Sequence, residues 1–314
     1  FVSGVFAGDP RKLSVKAAFP LFTAFEREHG SIMAGGFNHM RKLREAKKAI
    51  PPGSIESRYK RGNLLTMPDG IGGLAETIAR PLKEQHQLHL GKPPDCVRRD
   101  PDGTWILESQ GEELSRSKRL LIACPASPAA YLLRDLCPEL TSAAGAIPAA
   151  SLVVVTLAFR REQASGIVDG FGFLAPRREK FRPLGVQFAH SIFPEQTPPG
   201  FLQLRVMLGG ALDPEAADLP EAGLIAAALD PLRPLLGLQG DPEKHWICRW
   251  RDVVPQYTLG HLQRVAHFNA AEQSLPGLHF LGDSLHGVGV PAAIARAADV
   301  ANSWKYGDQA AEYN

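Results

Sequence analysis

The sequence predicts a protein of mixed α/β (α+β) class, and three patterns support that prediction. Residues 278–281 are a short apolar run, followed by a glycine-rich loop and a helical pattern that starts at Pro291. The pair Asp102-Gly103 separates two extended runs, which is a strong hairpin signal. Aromatic and aliphatic side chains alternate through 170–176 and 184–188, as in half-buried strands.

The composition is that of a globular protein large enough for two lobes with their own cores. The chain has 314 residues, of which 44% are hydrophobic, and its formal net charge is +2. This near-neutral charge argues against nucleic acid as a partner. The four cysteines show no Cys-x-x-Cys spacing, which argues against a metal site and a disulfide framework and favours a reducing, cytoplasmic compartment.

The first segment, residues 1–52, is predicted to contain a turn, a helix near Ser14 and a basic amphipathic helix over 37–50. In the second helix Phe37 and Met40 lie on one side, and basic residues spread over the rest. A solvated charged face is the favoured interpretation of this helix, and a role at a lipid surface is the alternative. The prolines and glycine at 51–53 indicate a linker.

The second segment, residues 53–126, contains a Gly-x-Gly-x-x-Ala pattern at 70–75. A dinucleotide fingerprint needs a buried strand before the glycines and a long helix after them. Here Pro68-Asp69 interrupts the strand side, and we expect Pro81 to limit the helix to about two turns. We therefore do not assign a dinucleotide site here. The segment is further predicted to form four strands, at 88–90, 96–99, 104–108 and 119–123.

The third segment, residues 127–240, is predicted to form a sheet flanked by helices. A helix is expected over 131–140, and helical spacing over 221–236 is interrupted by Pro231 and Pro234. Strands are predicted at 151–159, 170–176, 184–188, 191–194 and 207–210.

The last segment, residues 241–314, is predicted to add a strand at 246–250 and the strand–loop–helix pattern near the C-terminus. Pro291 suits the first turn of a helix, where its missing N–H costs nothing. Free N–H groups of the glycine loop at the helix start suit an anion or an electron-rich ring. The predicted buried face of this helix consists of Ile294, Ala297, Ala298, Ala301 and Trp304.

Two strings in the sequence resemble one enzyme family. Gly282-Asp283 followed by 287–291, and the opening string 1–14, resemble protoporphyrinogen oxidase, an FAD-dependent enzyme with amine-oxidase-like relatives. The resemblance implies a partial FAD/NAD(P)-binding amine-oxidase-like fold. It assigns 1–52 to a helical membrane-side lobe, 127–240 to a mixed-sheet substrate-binding lobe, and both 53–126 and 241–314 to the FAD-binding domain.

The resemblance also implies the residues of the site. Gly282 and Asp283 are expected at the phosphate and ribityl chain of FAD, and Val288, Gly289 and Val290 at the edge of the flavin ring. Trp250 is expected to form a wall of the ring, and Leu174 and Phe193 to contact the tetrapyrrole. His261 is interpreted as a structural histidine. Because the cofactor supplies the difficult chemistry, we assign no catalytic residue and no metal ligand.

The activity implied is oxidation of protoporphyrinogen IX to protoporphyrin IX in heme biosynthesis, by hydride transfer to FAD with oxygen as acceptor. Three alternatives stay open. The substrate could instead be coproporphyrinogen III, the protein could be another amine oxidase or desaturase-like flavoenzyme, or it could be a cofactor-free remnant that acts as a binding module. The resemblance also admits a homodimer and peripheral association with the inner face of the cell membrane.

The sequence begins at Phe1, and we expect it to correspond to the C-terminal two-thirds of the family's chain. The resemblance covers essentially the whole sequence, but the N-terminal dinucleotide fingerprint of the family is missing from it. We therefore expect these residues by themselves to bind flavin weakly and to be inactive.

Overall fold

The computed structural model describes residues 4, 6–48, 64–166, 168–176, 179 and 181–311. The chain divides into two compact units. Ser14–His89 form the smaller unit, and Phe1–Leu13 together with Leu90–Asn314 form the larger one. Helices and sheets are both present, so the predicted mixed α/β class is confirmed. The division into four segments made from the sequence stays a prediction.

The smaller unit is helical in the part that the structure describes. Its helices are α1 (Val15–Ala18), α2 (Pro20–His29), α3 (Ile32–Lys48) and α4 (Gly72–Glu84). The Ser14 hydroxyl accepts a hydrogen bond from the Ala17 N–H at 3.3 Å and so caps α1. The predicted basic helix is confirmed as α3, but it starts five residues earlier than predicted, and the linker at 51–53 lies outside the described residues.

Helix α4 corrects the expectation for Pro81. The helix has 13 residues and continues through this proline instead of stopping before it. Proline removes one helical hydrogen bond and crowds the preceding turn. This helix has no fully buried residue, so the carbonyl that loses its partner can remain in solvent. Residues 64–71 contain no strand, in agreement with the rejected dinucleotide fingerprint.

The larger unit contains a three-stranded antiparallel meander and a two-stranded parallel sheet. The meander consists of β1 (Cys96–Arg99), β2 (Trp105–Ser109) and β3 (Glu112–Ser117), so the predicted hairpin is confirmed. The parallel sheet pairs β4 (Leu120–Ile122) with β10 (Leu278–Phe280). The hydrophobic core beside this parallel sheet contains Phe268 and Phe280, whose rings meet edge to face with centroids 5.2 Å apart. The helices around it are α5 (Ala126–Leu132), α6 (Glu139–Gly145) and α10 (His261–Ser274).

The third sheet of the larger unit is five-stranded and antiparallel, in the order β6-β7-β8-β5-β9. Its strands are β5 (Ala149–Arg160), β6 (Gly172–Leu174), β7 (Gly185–Phe188), β8 (Phe201–Gly209) and β9 (Lys244–Pro255). The short helix α7 (Ala189–Ile192) follows β7 directly. One face packs against α8 (Glu221–Leu229) and α9 (Leu232–Leu236) and forms a second core. The opposite side, which we call the open face, carries the alternate side chains of these strands.

Three predicted elements differ from the structure. Residues 88–90 form no strand, and Leu90 is exposed. The predicted helix over 131–140 is two helices, because the chain turns between Leu133 and Pro138. Residues 191–194 form no strand, because they comprise the last two residues of α7 and the two residues after it. These runs are short, and a short apolar run does not distinguish a strand from a helix.

The face of the last helix, α11 (Val290–Ala311), was also predicted wrongly. Ile294, Ala297, Ala298 and Ala301 are exposed, whereas Val300 is buried and Arg296 and Trp304 are partly buried. The inward stripe therefore repeats every four residues and contains an arginine. Apolar spacing alone missed this face because Arg296, which forms a partly buried ion pair with Glu272, occupies part of it.

Candidate functional site

A cavity of about 940 Å³ opens at the carboxyl ends of the parallel strands β4 and β10. Ligands of α/β proteins commonly bind at this edge of a sheet. The lining combines apolar walls with a few polar groups, as is typical of small-molecule sites. The lining residues that matter below are Cys124, Pro125, Pro148, Arg251, Asp252, Val253, Gly282, Asp283, Ser284 and Ala293.

The loop that follows β10 depends on glycine. Gly282, Gly287 and Gly289 have φ angles of +127°, +99° and +104°, a region that other residues rarely adopt. A Cβ on Gly282 would lie 3.5 Å from the Cys124 carbonyl oxygen, between the ends of the two parallel strands. The glycine therefore lets the chain turn sharply from β10 and places no side chain at this edge of the cavity.

The buried side chain of Tyr257 holds the loop after β10 in place by two hydrogen bonds. Its hydroxyl donates a hydrogen bond to the carbonyl oxygen of Asp283 and accepts one from the Gly287 N–H at 3.1 Å. The ring is 4% exposed, and burial raises the pKa of Tyr257 to about 12. The hydroxyl therefore keeps its proton at neutral pH and remains a donor to Asp283.

His261 stacks on Tyr257, with ring centroids 4.0 Å apart. The residue is 2% exposed, and neither ring nitrogen has a hydrogen-bond partner in the described part of the chain. Burial, assisted by the positive charge of Arg264, lowers the pKa of His261 to about 4. His261 is thus a neutral packing residue at physiological pH, as the structural interpretation expects.

The opposite wall of the cavity comes from a bulge between β5 and β9. The pairing register shifts between Ala150 and Leu152, and Asp252 has a φ of +49°. The Ser151 hydroxyl donates to Asp252 Oδ1 at 3.2 Å and accepts from the Asp252 N–H at 3.0 Å. These bonds hold the bulge, and Arg251, Asp252 and Val253 then line the cavity.

A partly buried ion pair connects the elements around the loop. Glu272 of α10 accepts the Phe280 N–H of β10 at 2.6 Å, and its carboxylate receives two hydrogen bonds from Arg296 of α11, at 3.0 and 3.1 Å. His286 lies in the same region, where burial lowers its pKa. The pair therefore fixes the helix that follows the loop to the strand that precedes it.

The structure places some of the residues predicted to contact flavin at the cavity and others outside its lining. Gly282 and Asp283 line the cavity. Val288 and Gly289 follow in the same loop and Val290 begins α11, and none of the three is part of that lining. Trp250 pairs with Leu152 on the open face, just beyond the bulge.

The two predicted substrate contacts are not brought together. Leu174 pairs with Gly185 at the start of β7 and lies on the open face, whereas Phe193 follows α7 beyond the other end of that strand. The roles of these residues stay predictions.

Two parts of the site were missed from the sequence. Cys124 and Pro125 line the cavity directly after β4. Their position between a buried strand and a helix could have indicated a ligand site from the sequence. The bulge at Arg251–Val253 had no such signal. It arises from the way β5 pairs with β9, and the two strands are about 100 residues apart in the sequence.

The cavity fits a flavin ring and the start of its side chain. Pro125, Pro148 and Val253 provide apolar walls, and the backbone at Gly282 is unobstructed by a side chain. Polar groups of Asp283, Ser284 and Arg251 lie at its margin. Apolar walls beside a few polar groups are what an aromatic cofactor with hydrogen-bonding groups requires.

Comparisons with known proteins show relatives that match most of this chain. A coproporphyrinogen III oxidase of Bacillus subtilis (strain 168) is 28% identical over 297 residues, covering 93% of this chain and 60% of the relative. A protoporphyrinogen oxidase of Bos taurus is 32% identical over 304 residues, covering 93% of this chain and 61% of the relative. The chain thus spans about 60% of the length of these curated relatives.

Solved structures show the same fold. The crystal structure of a candidate protoporphyrinogen oxidase from Exiguobacterium sp. 255-15 matches with a TM-score of 0.73 at 24% identity, covering 97% of this chain and 62% of that one. This likeness confirms the predicted amine-oxidase-like fold. Residues 1–303 match the family described as flavin containing amine oxidoreductase. The chain therefore belongs to the flavin containing amine oxidoreductase family, in agreement with the predicted resemblance.

Proposed function

We propose that the protein oxidises a porphyrinogen, with FAD bound at the cavity beside β4 and β10. When bound, FAD supplies the acceptor for hydride removed from the substrate. The observation that carries the proposal is the glycine loop at Gly282, which leaves the end of the parallel strands open to a flat ring. Family membership supports the same cofactor.

The chain's own residues would bind and orient this cofactor. Gly282, Asp283 and Ser284 would contact its ribityl chain and phosphate, and Pro125 with Val253 would exclude water from the ring. Tyr257 would act indirectly, by keeping Asp283 and Gly287 at fixed positions. None of these roles requires a general base, so we propose none.

We propose protoporphyrinogen IX or coproporphyrinogen III as the substrate and oxygen as the acceptor, because relatives carry both oxidase names. Because these residues by themselves are expected to be inactive, the test incubates a full-length protein that contains them with saturating FAD and each anaerobically prepared porphyrinogen, then admits oxygen. Formation of the fluorescent porphyrin and consumption of oxygen should both depend on FAD. The Gly282→Val variant should lose flavin binding and turnover together. Turnover of amines without turnover of either porphyrinogen would favour the amine-oxidase alternative.

We propose in addition that α3 contacts an anionic membrane surface. Met33, Phe37 and Met40 are exposed on this helix, and Arg41 and Arg44 are exposed beside them. No helix in the described residues is long and apolar enough to cross a bilayer. The protein should co-sediment with vesicles rich in anionic lipid, and Phe37→Ser should reduce the bound fraction severalfold. An equal bound fraction for Phe37→Ser and wild type would contradict the proposal.

A further inference from the structure

The outer edge of β9 is a long strand edge with no neighbour in the described part of the chain. This strand has 12 residues and lies at the end of the five-stranded sheet, next to β5. Trp246 and Trp250 are 52% and 50% exposed, and Cys248 between them is exposed as well. Native edge strands are usually short, charged or covered, because their free N–H and C=O groups pair readily with another strand. The edge of β9 therefore has the features of an association surface.

The residues of β9 follow a self-complementary pattern about Cys248. A tryptophan lies two residues from this cysteine in each direction, and a charged residue lies four residues from it in each direction. The charges are opposite, Lys244 on one side and Asp252 on the other, and both residues are exposed. The cysteine and the tryptophans belong to the open face, because Ile247 between them packs against the core. In the opposite direction the stretch 244–252 thus has the same aromatic pattern and opposite charges.

Two copies of this strand fit each other in one antiparallel register. With Cys248 of both copies at a two-fold axis, each Trp246 lies opposite Trp250 of the second copy, and each Lys244 opposite its Asp252. A shift by two residues would place tryptophan opposite cysteine and separate the lysine from the aspartate. Cross-strand aromatic pairs and opposite charges both stabilise antiparallel sheets, so this register is favoured over its neighbours.

The charges on the other face of the strand are compatible with this register. There His245 lies opposite Arg251 of the second copy, and each of them has an acidic partner in its own chain. His245 Nε2 lies 2.9 Å from a carboxylate oxygen of Glu221, and Arg251 Nη1 lies 2.7 Å from one of Asp218. The pairing therefore brings no uncompensated like charges together on this face.

We propose that β9 pairs antiparallel with β9 of a second copy of this chain, centred on Cys248, so that two five-stranded sheets join in a symmetric dimer. Facing residues of antiparallel strands have Cα atoms about 4.5–5.5 Å apart and form roughly one hydrogen bond per residue pair. The bulge limits the regular pairing, because the Asp252 N–H is already bonded to the Ser151 hydroxyl at 3.0 Å. The contact between Lys244 and Asp252 is therefore one of side chains.

Charge reversal tests the register of this dimer. Lys244→Glu and Asp252→Lys each place like charges opposite each other twice in a symmetric dimer, so each should raise the dimer Kd about tenfold or more. An equimolar mixture of the two variants should dimerise with a Kd near that of the wild type, since the mixed dimer has opposite charges in both pairs. The control is Lys83→Glu on the exposed surface of α4, which should associate as wild type does. Sedimentation velocity over a range of concentrations measures these Kd values.

Cross-linking through Cys248 tests the same register in the unsubstituted chain. The oxidant, copper phenanthroline, takes two electrons from two thiols, which lose their protons and form a disulfide. A disulfide needs Cα atoms about 4.4–6.8 Å apart, a distance that facing residues meet. Cys248 is exposed, whereas burial raises the pKa of the Cys124 and Cys137 thiols. A covalent dimer should form rapidly in the wild type, severalfold more slowly in Lys244→Glu, and not at all in Cys248→Ser.

Three results would overturn the proposal. The first is a monomer at every concentration measured, and the second is a dimer whose Kd is the same in the wild type and in Lys244→Glu. The third is a longer protein containing these residues that remains monomeric with Cys248 protected from alkylation, because another segment of that protein would then cover the edge of β9.

Discussion

At the scale of single residues, the loop after β10 depends on one buried hydroxyl. Tyr257→Phe removes its bonds to Asp283 and Gly287 but keeps the ring against His261. Leaving the Gly287 N–H and the Asp283 carbonyl unpaired should cost about 1–3 kcal/mol. We expect a lower melting temperature and a flavin Kd raised about tenfold.

The matched control for this substitution is Tyr131→Phe, since Tyr131 is exposed at the end of α5. Calorimetry and flavin titration of both variants check the prediction. Equal flavin affinity in Tyr257→Phe and Tyr131→Phe would show that the loop does not need the hydroxyl.

His261 should make stability depend on pH. Its pKa is about 4 in the folded protein and has an ordinary value of 6.5, so the unfolded chain binds the proton more readily between these values. The free energy of unfolding therefore rises with pH across this window. The contribution is fully present above pH 6.5 and is lost as pH falls toward 4, on the order of 3 kcal/mol in total.

Denaturant unfolding from pH 4.5 to 7.5 measures this dependence. His261→Phe should flatten the profile, and the remaining slope should include His286, whose pKa burial also lowers. His267→Gln is the control, because His267 is exposed on the same helix. A profile for His261→Phe as steep as that of the wild type would refute the assignment.

At the scale of elements, the Glu272–Arg296 pair holds α10, β10 and α11 together. Glu272→Gln preserves an acceptor for the Phe280 N–H but leaves Arg296 as an uncompensated, largely buried charge. We expect a loss of about 3 kcal/mol in the free energy of unfolding. Glu272→Gln combined with Arg296→Met should recover part of that loss, because the unpaired charge is gone. A double-variant cycle with no coupling energy would contradict this role for the pair.

The elements that the sequence predicted well are those in which one side chain in two is buried. In strand β5 the side chains of Val153, Val155 and Leu157 lie in the core and their neighbours are partly exposed, and its run of β-branched residues predicted a strand. The buried face of α11 was not predicted correctly. Arg296 points inward because it pairs with Glu272, which lies 24 residues earlier in the chain. Partners distant in sequence likewise created the bulge at Asp252, which spacing along the chain does not reveal.

At the scale of the whole molecule, the proposed flavin site accounts for one half of the cofactor. It lies at the end of a parallel sheet of only two strands, and its glycine loop suits the ring and ribityl chain. The adenosine half of FAD is commonly bound by a glycine-rich turn between a strand and a helix. The only pattern of this kind noted in the sequence, at 70–75, has no strand in the residues 64–69 that lead to it.

This asymmetry predicts that the chain of 314 residues distinguishes poorly between FAD and FMN. Both carry the same ring, ribityl chain and first phosphate, so contacts at Gly282, Asp283 and Ser284 would serve them equally. We expect weak binding, with Kd values for the two flavins within about threefold, a difference of less than 1 kcal/mol. Titration followed by flavin fluorescence measures both values. Gly282→Val should weaken both to the same extent, and Gly70→Val should weaken neither, since Gly70 lies in the smaller unit. Tight, stoichiometric FAD binding with FMN bound 100-fold more weakly would contradict this prediction, because it would mean that these residues bind the adenosine half as well.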